Sequence, residues 1–237
     1  HDLVVRMNIA PTGGKEEHVG SKTTLRLINS KWARLYAQGS SMVGVGRKTH
    51  LVVRVVDNAD FYVSLVKALA RKKSETMVLM LNTNTVRAAQ KLLDSYRVCM
   101  YFSGRRFAGG VVPSSGFVLA LALSQLCDRV NIYGFGRPKF QGKLVPYQYY
   151  IERNNDGSVN QGSENHSFAM ELIVLQEMAR ASKGKFNYCS ISESGTRICR
   201  NLDKPTASAK GAGNGAGMKA KQQRRRDLLA MEATETT

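Results

Sequence analysis

Ser114, Ser115 and Gly116 open an apolar stretch, Phe117 to Cys127, that runs into the strand-like segment Val130-Asn131-Ile132-Tyr133-Gly134-Phe135-Gly136. Small hydroxyl residues and a glycine at the start of such a helix let a ligand oxygen approach main-chain N–H groups, and the helix dipole behind them favours an anion. Taken alone, the same residues are also an ordinary N-cap. Further strand-like runs fall at Leu3 to Met7, Leu51 to Val56, Met77 to Leu81, Val98 to Phe102 and Val130 to Tyr133. Between them, Ala59 to Arg71, Thr85 to Tyr96 and Ser115 to Gln125 have helical spacing, with Asn84 and Ser114 as N-caps. Strands alternating with helices predict an α/β fold with a largely parallel sheet, covered on both faces, and ligand sites at the carboxyl ends of its strands. After Gly136 the pattern loosens into two polar loops, Arg137 to Pro146 and Asn154 to Asn165. A periodic helix from His166 to Ala181 follows, with Phe168, Leu172, Leu175 and Met178 available for burial.

The chain has 237 residues, 43% of them hydrophobic, enough for a substantial core. Its net charge is +17. The segment from Asn201 to Thr237 carries 7 Lys/Arg against 4 Asp/Glu, so it accounts for +3 and leaves +14 on residues 1–200. A surplus of that size suits an anionic partner: a nucleotide sugar, an acidic glycan or a nucleic acid. The organisation expected is one domain over residues 1–200 and a disordered basic tail over 201–237, too poor in apolar residues to offset its ordering entropy. No run is apolar for long enough to span a bilayer. Cys99, Cys127, Cys189 and Cys199 allow three pairings and have no zinc spacing. Cys189 and Cys199 could close a short loop in an oxidising compartment or remain two buried thiols. His18 and His50 have no partners at ligand spacing, so no metal site is expected.

Four blocks together carry more information than any of them singly. The chain opens with His1 to Pro11 and Val19-Gly20-Ser21-Lys22-Thr23-Thr24; Pro113 to Gly136 follows, then Tyr147 to Glu152, then His166 separated by four residues from Glu171. In this order they resemble the sialyltransferases that use CMP-sialic acid: the second half of the large motif, then the small, third and very small motifs. The resemblance covers His1 to about Glu171. It implies a Rossmann-like glycosyltransferase fold, a GT-A-like variant with a mostly parallel central sheet, and metal-independent, inverting transfer of sialic acid to a glycan hydroxyl. CMP-sialic acid is then a donor substrate, no cofactor is expected, and the partners are a nucleotide sugar and a glycan acceptor rather than a nucleic acid. The first residue falls inside the large motif and no initiator Met is present, so an N-terminally incomplete domain is expected, with any Golgi membrane anchor upstream and the enzyme in the lumen.

The resemblance also implies residue roles. His166 is the general base, histidine being a residue type that can take the acceptor proton without large tuning, although a helix-capping histidine is the reading from local sequence alone. Glu171 is a structural brace. Asn8, Ser114, Ser115, Gly116, Gly136, Gln148 and Tyr149 form the donor site, the helix start at Ser115 and Gly116 stabilising the departing phosphate. Locally, Asn8 reads equally as a turn residue before Pro11. Cys127 corresponds to a small-motif cysteine whose family partner lies in the large motif, upstream of His1. One position departs from the pattern: Gln148 stands where many members have histidine, and it is followed by Tyr149-Tyr150-Ile151-Glu152. Glutamine donates a hydrogen bond to phosphate but cannot be protonated to neutralise it.

Two other readings compete. Gly14 to Thr24 superficially looks like a phosphate loop, but Ser21 separates Gly20 from Lys22 and no strand immediately precedes the glycines. A basic nucleic-acid-binding module would need aromatics interleaved with its cations, and no such pattern is present. Within the transferase reading, another CMP-activated keto sugar such as Kdo would use the same nucleotide cradle.

Overall fold

The computed structural model describes residues 1–40, 49–54, 60–72, 74–135, 139–140, 143–144, 148–150, 164–191 and 197–200. Gly136, Ile151, Glu152, Asn154 to Ser163 and the tail from Asn201 lie outside the described residues.

In chain order the elements are β1 (Val5–Met7), α1 (Glu16–Val19), β2 (Leu25–Ile28), α2 (Ser30–Ala37), β3 (His50–Arg54), α3 (Asp60–Arg71), β4 (Val78–Leu81), α4 (Thr83–Phe102), α5 (Ser115–Leu126), β5 (Val130–Ile132), β6 (Lys139–Phe140), β7 (Lys143–Leu144), α6 (Phe168–Ala181), β8 (Phe186–Ile191) and β9 (Arg197–Arg200). Strands β1-β2-β3-β4 form a four-stranded parallel sheet in that order. A second sheet has the order β5-β8-β9, parallel between β5 and β8 and antiparallel between β8 and β9, and β6 pairs with β7. The α/β class and the parallel sheet agree with the expectation.

Register explains the layers. Ile28 pairs with Val53 and Arg26 with Leu51, so these four side chains share one face of the parallel sheet. Ile28, Leu51 and Val53 pack there with Ala33 and Tyr36 of α2 and Leu65 and Leu69 of α3, all essentially buried. The opposite face receives α5, against which Arg54 projects. Helix α5 is apolar all round, as a helix buried between other elements requires, with Phe117, Val118, Ala120 and Ala122 buried. Helix α4 packs on α5 and α6, and α6 packs on β8.

Several expectations are corrected. Val98 to Phe102 is the last turn and a half of α4, not a strand. A five-residue apolar run has no period that separates strand from helix, and nothing breaks the helix before Ser103 and Gly104. There the N–H of Gly104 reaches the Tyr101 carbonyl and that of Arg105 the Met100 carbonyl, a Schellman ending. The N-cap of α4 is Asn82, whose side chain accepts the Asn84 N–H at 2.8 Å, so Asn84 is inside the helix. The buried stripe of α6 is Met170, Glu171, Val174, Leu175 and Ala179 rather than one centred on Phe168 and Leu172. His50, expected at the surface, opens β3 half-buried, its Nδ1 accepting the Met77 N–H.

Seven elements have no counterpart in the sequence reading: α1, β2, α2, β8, β9, and the pair β6 and β7, which falls in the expected loop Arg137 to Pro146. Strand β2 was hidden by Arg26, a charged residue that is nevertheless wholly buried. Its Nη1 donates to the carbonyls of Asn8 at 2.7 Å and Ala10 at 3.0 Å. Burial lowers its pKa, an effect that the neighbouring Tyr36 phenol opposes. Helix α2 carried a readable start, because the Asn29 side chain accepts the Trp32 N–H at 3.1 Å. Strands β8 and β9 are joined by a disulfide between the register partners Cys189 and Cys199, which decides between the two readings of that pair.

Tyr36 supplies a test of the core. Its ring fills the space between α2 and the sheet, yet its buried hydroxyl has no hydrogen-bond partner among the described residues. Removing an unsatisfied buried hydroxyl releases a desolvation cost. Tyr36→Phe is therefore expected to leave stability unchanged or raise it by up to about 1 kcal/mol, whereas Leu65→Ala should cost about 2–5 kcal/mol. Denaturant unfolding of the two variants checks both.

Candidate functional site

The carboxyl ends of β1, β2 and β3 meet the amino ends of α2, α5 and α6, and hydrogen bonds join them into one rim. Ser114, the N-cap of α5, accepts the Phe117 N–H at 3.2 Å. Its own N–H donates to Glu171 Oε1 at 2.6 Å, and its hydroxyl donates to Glu171 Oε2 at 2.5 Å. Glu171 is 2% exposed in the first turn of α6. Burial pushes its carboxyl up to about 7, while the two Ser114 bonds and the Arg54 guanidinium pull in the other direction. Arg54, buried at the end of β3, donates from Nη1 to the Ser115 hydroxyl at 3.2 Å. Its carbonyl accepts from Ser30 Oγ at 3.4 Å, which brings in the start of α2.

Geometry leaves the N–H groups of the first helical turn without intrahelical acceptors. With Phe117 N–H taken by the cap, those of Ser115 and Gly116 remain at the end of α5. Gly116 has a packing reason besides any ligand: a Cβ there would lie 2.7 Å from Phe135 Cζ and 2.9 Å from Cε1. Phe135 is in turn held through its carbonyl by the Tyr188 hydroxyl. The side of Gly116 that a side chain would occupy thus faces an aromatic ring, and the expected anion approach is confined to its N–H.

Asn8 stands at the exit of β1 in the left-handed region, with φ 47°. Its Oδ1 accepts the Asn29 N–H at 3.1 Å, joining it to the capping residue of α2. The chain then turns through Pro11, whose carbonyl accepts from the Tyr149 hydroxyl at 2.5 Å. Burial raises the Tyr149 phenol pKa, an effect that Arg6 and Arg26 oppose. The ring of Tyr150 stacks edge-on at 5.1 Å. Asn8 and Tyr149 therefore meet at one turn, and Gln148 immediately precedes it in chain order, half-buried.

His166 lies two residues before α6, half-buried, and its Nδ1 is 2.8 Å from the Val112 carbonyl oxygen. A carbonyl only accepts, so Nδ1 carries the proton and the lone pair of the neutral ring is on Nε2. The ring is tilted over Phe168 at 5.7 Å. Val112 is two residues from Ser114, so the histidine and the capped end of α5 are anchored to the same short stretch.

The structure thus brings Ser114, Ser115, Gly116, Glu171 and His166 together, and Asn8 with Tyr149. Gly136 is outside the described residues. Cys127 is a half-buried free thiol at the far end of α5, about 18 Å of helix from Ser115. Among the described residues, no group of three His, Cys, Asp or Glu could hold a metal ion. Arg54, Arg26 and the Gly109-Gly110 pair were missed from sequence. Arg54 interrupts the apolar run Leu51 to Val56, where a cation stands out, and the Gly-Gly pair is a visible signal of close backbone approach.

Glu171 yields a prediction with a definite sign. Its pKa is 4.5 in an ordinary setting and about 7 in the fold, so between those values the folded state binds more protons than the unfolded one. Stability accordingly falls as pH rises from 4.5 to 7, by on the order of 3 kcal/mol, and levels off above. Glu171→Gln, which can accept from the Ser114 N–H and donate to its hydroxyl, should remove that contribution. Unfolding free energies of both proteins across this window would show the difference as a flattened profile.

The sequence model of glycosyltransferase family 29, described as sialyltransferase, matches residues 1–183. Among similar proteins, the chicken CMP-N-acetylneuraminate-beta-galactosamide-alpha-2,3-sialyltransferase 1 is 28% identical over 192 residues, 78% of this chain and 51% of its own length. The pig sialyltransferase of the same name is 33% identical over 184 residues, 77% of this chain and 50% of its own. The mouse alpha-2,3-sialyltransferase 4 is 28% identical over 194 residues, 75% and 54% respectively. The chain spans about half the length of these relatives. A crystal structure of a mammalian sialyltransferase in complex with Gal-beta-1-3GalNAc-ortho-nitrophenol superposes with a TM-score of 0.52 at 20% identity, covering 79% of this chain and 60% of that one, which extends the agreement to the fold. With three quarters of its length matched by the family's own sequence model, the chain belongs to glycosyltransferase family 29, the sialyltransferases.

Proposed function

We propose that this protein transfers sialic acid from CMP-sialic acid to a hydroxyl of a glycan on glycoprotein or glycolipid, with inversion at the anomeric carbon. The observation that supports this reading is the hydrogen bond from His166 Nδ1 to the carbonyl of Val112, two residues before the Ser114 cap of α5, which makes Nε2 the basic nitrogen of the ring. The acceptor oxygen bonds to the anomeric carbon, the bond from that carbon to the phosphate oxygen breaks, and the acceptor proton passes to Nε2. CMP leaves as a phosphate monoester. The N–H groups of Ser115 and Gly116 then meet the growing negative charge, assisted by the dipole of α5.

The turn at Asn8 supplies an amide to the nucleotide, and Tyr149, Gln148 and Gly136 complete the donor site. Glu171 acts as a brace, holding the cap of α5 against α6. CMP-sialic acid is a substrate, and the chemistry assigned to these residues needs no metal ion. The names of the relatives make a galactose hydroxyl of a β-galactosamide the first acceptor to test. The setting that fits is the Golgi lumen; among the described residues, no helix is long and apolar enough to cross a membrane.

In the full-length protein, His166→Ala is expected to lower kcat by a factor on the order of 100 or more while CMP affinity stays nearly intact. Transfer at the wild-type rate would remove the histidine from the chemistry. Gln148→His probes the departure from the family pattern: an imidazolium beside phosphate should raise kcat at mildly acidic pH, and the gain should fade as pH rises through the pKa of the new histidine. Superimposable pH–rate profiles would give residue 148 a structural role only.

A further inference from the structure

His166 is held in its tautomer by one carbonyl, that of Val112, so whatever fixes Val112 fixes the histidine. Val112 closes a strap of five residues, Ala108 to Val112, in neither helix nor strand. Every carbonyl of the strap has a partner. Ala108 accepts from Ser167 Oγ at 2.6 Å and Val112 from His166 Nδ1 at 2.8 Å, both on the segment that enters α6. The three carbonyls between them go to α4 instead. Gly110 accepts from Arg97 Nη2 at 2.7 Å, Gly109 from the same guanidinium at 3.4 Å, and Val111 from Gln90 Nε2 at 2.7 Å.

Gln90 and Arg97 are seven residues apart, two turns of one helix face. Gln90 is itself steadied by the Asp94 carboxylate one turn on, at 3.0 and 3.2 Å. On its other side the strap has no room to yield. A Cβ on Gly109 would lie 2.2 Å from the His166 carbonyl oxygen, and one on Gly110 would lie 2.2 Å from that of Glu164. The Val112 N–H also donates to the Asn165 carbonyl at 2.9 Å. The strap is thus pressed between a 20-residue helix and the histidine segment, with its backbone oxygens divided between them.

From this we infer that Arg97 and Gln90 are positioning residues for His166: by holding the carbonyls of residues 109 to 111 on α4, they set where the Val112 carbonyl meets Nδ1 and hence where Nε2 points. The inference rests on the reading of His166 as the base. Small displacements of a reacting group cost rate steeply, about 100-fold for an ångström, so a loosened strap would act on turnover before it acts on donor binding, whose groups are assigned to the Asn8 turn, the start of α5, Gly136, Gln148 and Tyr149.

The test uses the full-length protein with labelled histidine, and compares Arg97→Met, Arg97→Lys and Gln90→Met with wild type. Arg97→Met keeps the aliphatic stem and removes the donors. It is expected to lower kcat by roughly 10- to 100-fold with the donor KM and CMP affinity unchanged, and Arg97→Lys should restore much of the loss. Imidazole nitrogen chemical shifts should report a smaller share of the Nδ1-protonated ring in Arg97→Met. If that variant does not fold, Gln90→Met, which removes only the Val111 bond, reads the same two quantities. Wild-type kcat together with an unchanged imidazole spectrum in the folded variants would overturn the inference. Absence of sialyl transfer by the wild-type protein would instead sink the functional reading, and the imidazole spectrum would still decide whether the strap holds the ring.

Discussion

The Glu171 carboxyl is the contact on which the rest of the site depends. It is buried, it is acidic, and both of its oxygens are spent on one residue, Ser114. Through that residue the first turn of α6 is joined to the first turn of α5, elements 57 positions apart in sequence. A carboxylate near a helix start is favoured by the local N–H groups and dipole. Here one carboxylate serves two such starts, its own helix and its neighbour, and a polar group in that position is tolerated only because each oxygen is matched. The packed face of α5, Phe117, Val118, Ala120 and Ala122, is held in place along the helix axis once its cap is fixed.

From Glu171 the connection continues through side chains rather than through the core. Ser115 meets Arg54, the Arg54 carbonyl meets Ser30, and Asn29 meets Asn8. Each link falls where a parallel strand ends or a helix begins, the positions that a doubly covered sheet leaves with unsatisfied backbone groups. The same groups that complete the secondary structure therefore define the rim of the site. Gly116 shows how tightly the two demands overlap, since its missing side chain makes room for Phe135 while its N–H stays at the end of α5.

Much of this was legible in the sequence, for identifiable reasons. The Ser114 cap could be read because a hydroxyl residue before a long apolar run has few other uses. Strands β3 and β5 could be read from their β-branched residues, Val52, Val53, Val130 and Ile132, between polar flanks. His166 and Glu171 became conspicuous through order and spacing with the other blocks, although local sequence alone favoured a cap for the histidine. What could not be read were places where tertiary contacts override residue type. A buried arginine hid β2, and an apolar helix end that remains exposed at Tyr101 and Phe102 resembled a strand. The orientation of Asn8, whose oxygen serves α2, depends on a partner 21 residues away. The Gly109-Gly110 pair was visible as letters, but its reason is the backbone of residues 164 to 167, which no local pattern announces.

Arg26 has a consequence for how the domain assembles. Its guanidinium lies on the face of the sheet that α2 and α3 close, and its acceptors are the carbonyls of Asn8 and Ala10. A cation shut into an apolar layer without those acceptors would cost several kcal/mol. The layer therefore cannot close over a wrongly formed turn without incurring that penalty, and the turn gains its charged donor only when β2 is in register beside β1. Packing of the core and shaping of the Asn8 turn are consequently one cooperative event: the folded ensemble excludes molecules with a closed core and a slack turn, and the chain carries its own check on the geometry of that edge of the site.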